Sequence, residues 1–246
     1  MLNIQKLDAF YGKKQVLFNI DLTLEDRTLG AVIGPNGAGK SSVLRAVFGM
    51  IPVRHGLIKF NDHDISQGTP LNCIKAGIAF VPQGARVFRD LTVGENLRMG
   101  GFTLANRELA LRSEEVIEAF PILAQRKAQR AGALSGGERQ MLAFGMALML
   151  RPKLLLIDEP SIGLAPMMVS QVFDTIVSIR NKLGTSVLIV EQQAQQVLRI
   201  VDSVFVIRAG RLISHGPVER YRDSDVLRHV YLSEPEQEPT TQEESK

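Results

Sequence analysis

Short apolar runs rich in β-branched residues alternate along the chain with longer amphipathic stretches. This pattern predicts an α/β fold with a largely parallel sheet. Five runs read as its strands: residues 28–33, 78–81, 153–157, 186–190 and 203–207. The clearest helical pattern opens at Pro166, a favourable first-turn residue, and sets Val169, Val172, Phe173, Ile176 and Leu183 on one stripe before stopping near Gly184. A second, over 107–120, is stopped by Pro121. From Gln83 to Leu150 only helical patterns occur, which predicts a helical subdomain of about residues 84–150 inserted into the α/β core. The opening 27 residues and 56–65 alternate instead, as in Ile20-Asp21-Leu22-Thr23-Leu24, and predict an antiparallel β subdomain.

Composition narrows the picture. At 246 residues and 45% hydrophobic, the chain can build a real core, and we expect one folded unit over 1–233. From Glu234 the residues turn to Glu, Gln, Pro, Thr and Ser, too polar to bury a core, which predicts a disordered acidic tail over 234–246. The longest apolar run, 141–150, is about half of a membrane span and is closed by Arg151-Pro152, so no bilayer crossing is expected. The start lacks a secretory pattern and Cys73 has no second cysteine to pair with, which points to a reducing cytoplasm with Cys73 as a packing residue. The net charge of +3 divides unevenly: the tail holds five acids and one base, the rest 28 bases and 21 acids. A basic body can bind nucleic acid, but three tyrosines, no tryptophan and no basic run interleaved with aromatics argue against that partner. His55, His63, His215 and His229 lie in loop-like or polar contexts without metal-ligand spacing and read as surface residues.

Three motifs carry chemistry. Gly34-Pro35-Asn36-Gly37-Ala38-Gly39-Lys40-Ser41, followed by Ser42, matches the phosphate-binding loop at every fixed position, between an apolar run and a helical pattern. Its backbone N–H groups and the helix N-terminus would converge on a triphosphate, Lys40 would neutralise β/γ oxygens, and the Ser41 hydroxyl would coordinate Mg2+. Leu154-Leu155-Leu156-Ile157-Asp158-Glu159 is a buried-strand pattern ending in two carboxylates. After a phosphate loop, Asp158 would hold Mg2+ through water and Glu159 would orient or deprotonate an attacking water. Third is Leu134-Ser135-Gly136-Gly137-Glu138-Arg139-Gln140, where Ser135 and Glu138 have capping-box spacing at a helix start.

Taken together and in this order, these motifs resemble those of ABC ATPases, over residues 1 to about 233. The resemblance implies an ABC-type P-loop ATPase core that binds ATP and Mg2+ and hydrolyses ATP in a two-subunit sandwich. Ser135, Gly136, Gly137 and Glu138 would then face the γ-phosphate held by the second subunit. It also implies that Tyr11 stacks on adenine, and that Gln83, ending Phe80-Val81-Pro82-Gln83, touches Mg2+ and water and transmits the nucleotide state. Glu159-Pro160-Ser161-Ile162-Gly163-Leu164-Ala165-Pro166 together with Val190-Glu191-Gln192-Gln193-Ala194 looks like an ATPase subunit of branched-chain amino acid importers and their amide or urea relatives. Gln192 then replaces the histidine that most of the family sets beside the γ-phosphate. The implied partners are transmembrane permease subunits, a second ATPase subunit in a heterodimer or homodimer, and a substrate-binding protein reached through the complex, at the cytoplasmic face of the cell membrane. Arg211-Leu212-Ile213-Ser214-His215-Gly216 and Val230-Tyr231-Leu232 point instead to the motor of lipopolysaccharide export, and a soluble non-transport ABC ATPase is a further alternative.

Overall fold

The computed structural model describes residues 1–223; the segment expected to be an acidic tail, His229 and the 230–232 motif lie outside them. Two sheets and a set of helices make up the fold. In chain order they are β1 (Leu2–Tyr11), β2 (Lys14–Leu24), β3 (Leu29–Ile33), α1 (Lys40–Val47), β4 (Val53–Phe60), β5 (His63–Asp64), α2 (Pro70–Ala76) and β6 (Ile78–Val81). The helical stretch follows as α3 (Val93–Gly100), α4 (Asn106–Ala119), α5 (Pro121–Gln125) and α6 (Gly136–Leu148). Then come β7 (Leu154–Asp158), α7 (Pro166–Leu183), β8 (Ser186–Glu191), α8 (Ala194–Val197), β9 (Ser203–Arg208) and β10 (Arg211–Pro217).

The larger sheet runs β10-β9-β3-β8-β7-β6, with every pair parallel except β9 and β10. Its central strands β3, β7 and β8 are buried at every residue, as parallel strands covered on both faces must be. Their side chains alternate between two cores. Ala31, Leu155, Ile157, Val187 and Ile189 meet the helices α3 to α7, whereas Val32, Leu154, Leu156, Leu188 and Val190 meet α1 and the smaller sheet. That smaller sheet, ordered β2-β1-β4-β5, is antiparallel throughout and closes the second core with Leu2, Ile4, Leu7, Ile20 and Leu22.

Three of the helices start on reciprocal capping boxes: Thr69 with Asn72, Thr92 with Glu95 and Ser135 with Glu138. Helix α7 opens on Pro166 and ends at Gly184, whose left-handed φ of 66° a residue without a Cβ adopts freely. Four readings of the sequence change. Leu183 leaves the buried stripe and is 54% exposed, because it closes the last turn; Ile179, one turn earlier, is buried in its place. The strand expected from residue 56 begins at Val53. His55, His63 and His215 are exposed as expected but stand on strands, not loops. The sequence pattern does not predict strand β10, since Arg211–Pro217 lacks a β-branched run; it forms because Ala209 and Gly210, both left-handed, fold it back on β9 in a two-residue hairpin.

The loop between Gln83 and α3 is fastened by Asn96, which is fully buried. Its Nδ2 donates to the carbonyls of Phe88 (2.9 Å), Thr92 (2.9 Å) and Leu91 (3.3 Å), and its Oδ1 accepts from the Phe88 N–H (2.8 Å). Removing the amide strands several main-chain groups at once. Asn96→Ala is expected to lower unfolding stability by about 2 kcal/mol in urea titrations; a change under about 0.5 kcal/mol would mean that other contacts hold the loop.

Candidate nucleotide site

The phosphate-loop sequence forms the turn between β3 and α1. Gly34 passes so close to β9 that a Cβ there would stand 2.0 Å from the Ile207 carbonyl oxygen. Gly39 sits at the helix N-cap with φ 101° and offers no capping side chain, so the positive end of α1 is left to the cleft. The Gly210 N–H of the β9–β10 hairpin donates to the Ala38 carbonyl (2.8 Å) and fixes the loop from behind. Above it lies a cleft of about 460 Å3 lined by residues 36–42, by Lys14, Gln15, Val16 and Phe18 of β2, by Glu159 and by the hairpin. Lys40 is 4% exposed, with its ammonium 3.1 Å from the Pro35 carbonyl and 3.8 Å from Glu159 Oε1. A nearly dry cation on so loose a tether is poised to take an anion.

At the edge of the same sheet, the Ser41 hydroxyl donates to Asp158 Oδ1 (2.7 Å). Asp158 is 1% exposed, and its Oδ2 has no hydrogen-bond partner, although the Arg45 guanidinium stands 3.8 Å away. A hydroxyl and a carboxylate with an unspent buried oxygen suit Mg2+, which prefers a few oxygen ligands and keeps its waters. No group of three or more His, Cys, Asp or Glu that could hold a metal occurs among the described residues. Arg45 also donates to the Tyr11 hydroxyl (3.0 Å), and this bond with the nearby Asp158 raises its pKa further. Tyr11 is 41% exposed and does not line the cleft.

Glu159 follows at once, in a left-handed turn (φ 44°) that is held by its own N–H donating to the Val190 carbonyl (2.9 Å). Such a conformation is strained for a side chain with a Cβ and is found where position matters more than comfort. Gln83 Nε2 donates to Glu159 Oε2 (3.0 Å), so the loop after β6 and the turn after β7 meet on one carboxylate. Gln192, just beyond β8, is exposed on the same edge of the sheet and does not line the cleft.

The serine loop behaves differently. Ser135 caps α6, its N–H donating to Glu138 (2.7 Å) while its Oγ accepts from the Glu138 N–H (3.3 Å), and these bonds hold the Glu138 carboxyl below the usual range. Ser135, Gly136, Gly137 and Glu138 do not line this chain's own cleft. They pack instead beside the loop that follows Glu159: a Cβ on Gly136 would meet Leu164 at 3.2 Å, and one on Gly137 would collide with Met168. A larger cleft of about 710 Å3 lies at the opposite ends of the strands, against Arg27, Lys153 and Thr185, and contains none of the expected site residues.

Two side chains escaped the sequence reading. Arg45 is one of many basic residues on helices, and only the tertiary fold brings it between Tyr11 and Asp158. Glu191 is 1% exposed, and its carboxylate accepts the N–H groups of Ser161 (3.1 Å) and Gln192 (3.1 Å). An acid ending an otherwise apolar strand pattern was the available signal.

Comparison with known proteins agrees with this geometry. The family profile described as "ABC transporter" matches residues 17–162. The chain is 41% identical to the high-affinity branched-chain amino acid transport ATP-binding protein BraG of Pseudomonas aeruginosa, over 94% of this chain and 99% of that one. It is 38% identical to the probable branched-chain amino acid transport ATP-binding protein LivF of Archaeoglobus fulgidus, over 88% and 92%. Identity falls to 32% with the lipopolysaccharide export ATP-binding protein LptB of Haemophilus influenzae, over 95% and 98%. Among solved structures, the ADP conformation of MJ1267, an ATP-binding cassette of an ABC transporter, superposes with a TM-score of 0.82 at 25% identity, covering 95% of this chain and 99% of that one. A dimeric post-hydrolysis state of the cassette MJ0796 bound to ADP and Pi gives 0.76 at 18%, covering 89% and 99%.

Because Lys40 serves the cleft and not a core, Lys40→Ala is expected to keep the fold and lose the ligand. The rise in melting temperature that MgATP gives the parent should vanish in the variant. An undiminished rise would remove Lys40 from phosphate binding.

Proposed function

The chain belongs to the ABC transporter family of ATP-binding subunits, and from that premise we propose that it powers the uptake of branched-chain amino acids or related polar amides. The observation that carries the ATPase reading is that Lys40 of the phosphate loop and Gln83 both meet Glu159. The substrate class rests on the higher identity to BraG and LivF than to LptB, which also disfavours the lipopolysaccharide-export alternative. A soluble ATPase outside transport finds no support in these relatives, all of which are named for transport or export.

In this reading the phosphate loop and Lys40 hold the triphosphate, and Tyr11 offers its ring to adenine. Ser41, Asp158 and Gln83 hold Mg2+, which when bound offsets charge on the phosphate oxygens. Glu159 orients a water and takes its proton as the water oxygen bonds to the γ-phosphorus. The bond to the bridging oxygen breaks, and ADP and inorganic phosphate leave. The serine loop supplies a helix N-terminus to the ATP of a second ATPase subunit, so turnover needs a dimer.

Force has to reach a membrane partner, since no helix of the described residues is long and apolar enough to cross a bilayer. A shallow apolar groove of about 190 Å3 lies beside Gln83, with Phe80, Pro82, Met99, Phe102 and Met146 in its walls. Phe102 is 61% exposed and Met99 44%, a surface suited to a permease segment at the cytoplasmic face of the membrane. A substrate-binding protein would act through that permease.

Two outcomes test the reading. Glu159→Gln keeps the shape of the side chain and removes the base, so MgATP should still bind and lock a long-lived dimer while phosphate release falls to the background rate. Normal release with the partner subunit present would exclude Glu159 from the reaction. Gln192 can donate a neutral hydrogen bond but cannot share the charge of an imidazolium. With a partner ATPase that retains histidine at that place, the site on this chain's loop is expected to turn over more slowly. Disabling each glutamate separately should then cost less here than in the partner, and equal losses would refute the asymmetry.

A further inference from the structure

The ladder between β7 and β8 ends in the pairing of Asp158 with Val190 and one last bond, from the Glu159 N–H to the Val190 carbonyl. Beyond it the two chains part, one into Pro160 and Ser161, the other into Gln192 and Gln193. The Glu191 carboxylate spans this gap: Oε1 accepts the Ser161 N–H and Oε2 the Gln192 N–H, each at 3.1 Å. We propose that Glu191 is a positioning residue that locks the turn after Glu159 to the loop carrying Gln192, so that the two keep one relative placement at this edge of the sheet. The proposal rests on the ATPase reading above.

The choice of residue supports this. Glu191 is 1% exposed and Ser161 3%, and burial pushes the Glu191 carboxyl above its ordinary range even though the Ser161 hydroxyl and main-chain N–H groups oppose the rise. Threonine or asparagine is smaller and would meet both N–H groups from a single oxygen, whereas the longer glutamate reaches each with its own oxygen. The two Glu191 oxygens take one N–H from each of the two divergent main chains. The link also extends further. Ser161 leads through Gly163 to Leu164, which packs at Gly136 in the serine loop. Glu191 therefore joins the loops around this chain's own phosphate loop to the element that serves the partner subunit's ATP.

The test is Glu191→Gln in the full-length chain within the assembled transporter, with the parent assayed in parallel. The amide keeps the size of the side chain but turns an NH2 group toward one of the two donors. KM for ATP and the MgATP-induced melting shift should stay within about threefold of the parent, while kcat falls about tenfold or more. Hydrogen exchange should quicken together in residues 159–164 and 192–193. Unchanged kcat overturns the proposal, as does a lower melting temperature with kcat of the folded fraction intact. If the glutamine variant does not fold, Glu191→Asp decides. It keeps both oxygens but withdraws them by about 1.5 Å, so a smaller loss in kcat is expected, and none would overturn the idea. A parent that does not hydrolyse ATP would instead refute the ATPase reading itself.

Discussion

Parallel pairing within the larger sheet is the constraint on which the site depends. Parallel strands all end at the same edge, and β3, β8, β7 and β6 are direct neighbours there. The register sets Ile33 opposite Glu191, Asp158 opposite Val190 and Val81 opposite Ile157. The phosphate loop, Gln83, the Asp158-Glu159 pair and Gln192 each follow one of these strand ends. Four segments from distant parts of the chain thus meet without any local sequence signal telling them to. Crevices beyond the carboxyl ends of parallel strands are where α/β sheets bind ligands, for this reason.

Charge at that edge is buried and loosely paired. Lys40, Asp158 and Glu191 are all nearly dry, and burying charge is costly unless it is well paired. Yet Lys40 stands 3.8 Å from Glu159 and Arg45 3.8 Å from Asp158. At the remote edge of the sheet, by contrast, Arg180 meets Asp202 at 2.8 Å. Loose pairing leaves the Lys40 ammonium without a close carboxylate and Asp158 Oδ2 without a hydrogen bond. The left-handed turn at Glu159 fits the same logic, with local strain held in place by the flanking ladder.

Much of this was legible in the residues. The apolar runs at 78–81 and 186–190 became strands nearly to the residue, and the helix from Pro166 opened and closed where proline and glycine punctuate it. The phosphate loop and the capping box at Ser135 are local chemistry, decided by residues within one or two turns, and so could be read directly. Less legible were elements whose stability is borrowed from elsewhere. The seven-residue α2 and eight-residue α3 are too short for periodicity to register, and β10 exists only as the return arm of a hairpin.

The sequence by itself determined the parallel strands, the helix from Pro166, the phosphate loop, the paired carboxylates and the serine cap, because each depends on neighbours close along the chain. Only the tertiary structure decided that Gln83 reaches Glu159, that Arg45 lies between Tyr11 and Asp158, and that Glu191 ties Ser161 to Gln192. The physical reason is that these contacts are set by which strands lie side by side and in what register. That choice is made by the summed burial of two cores, to which no single segment holds the key.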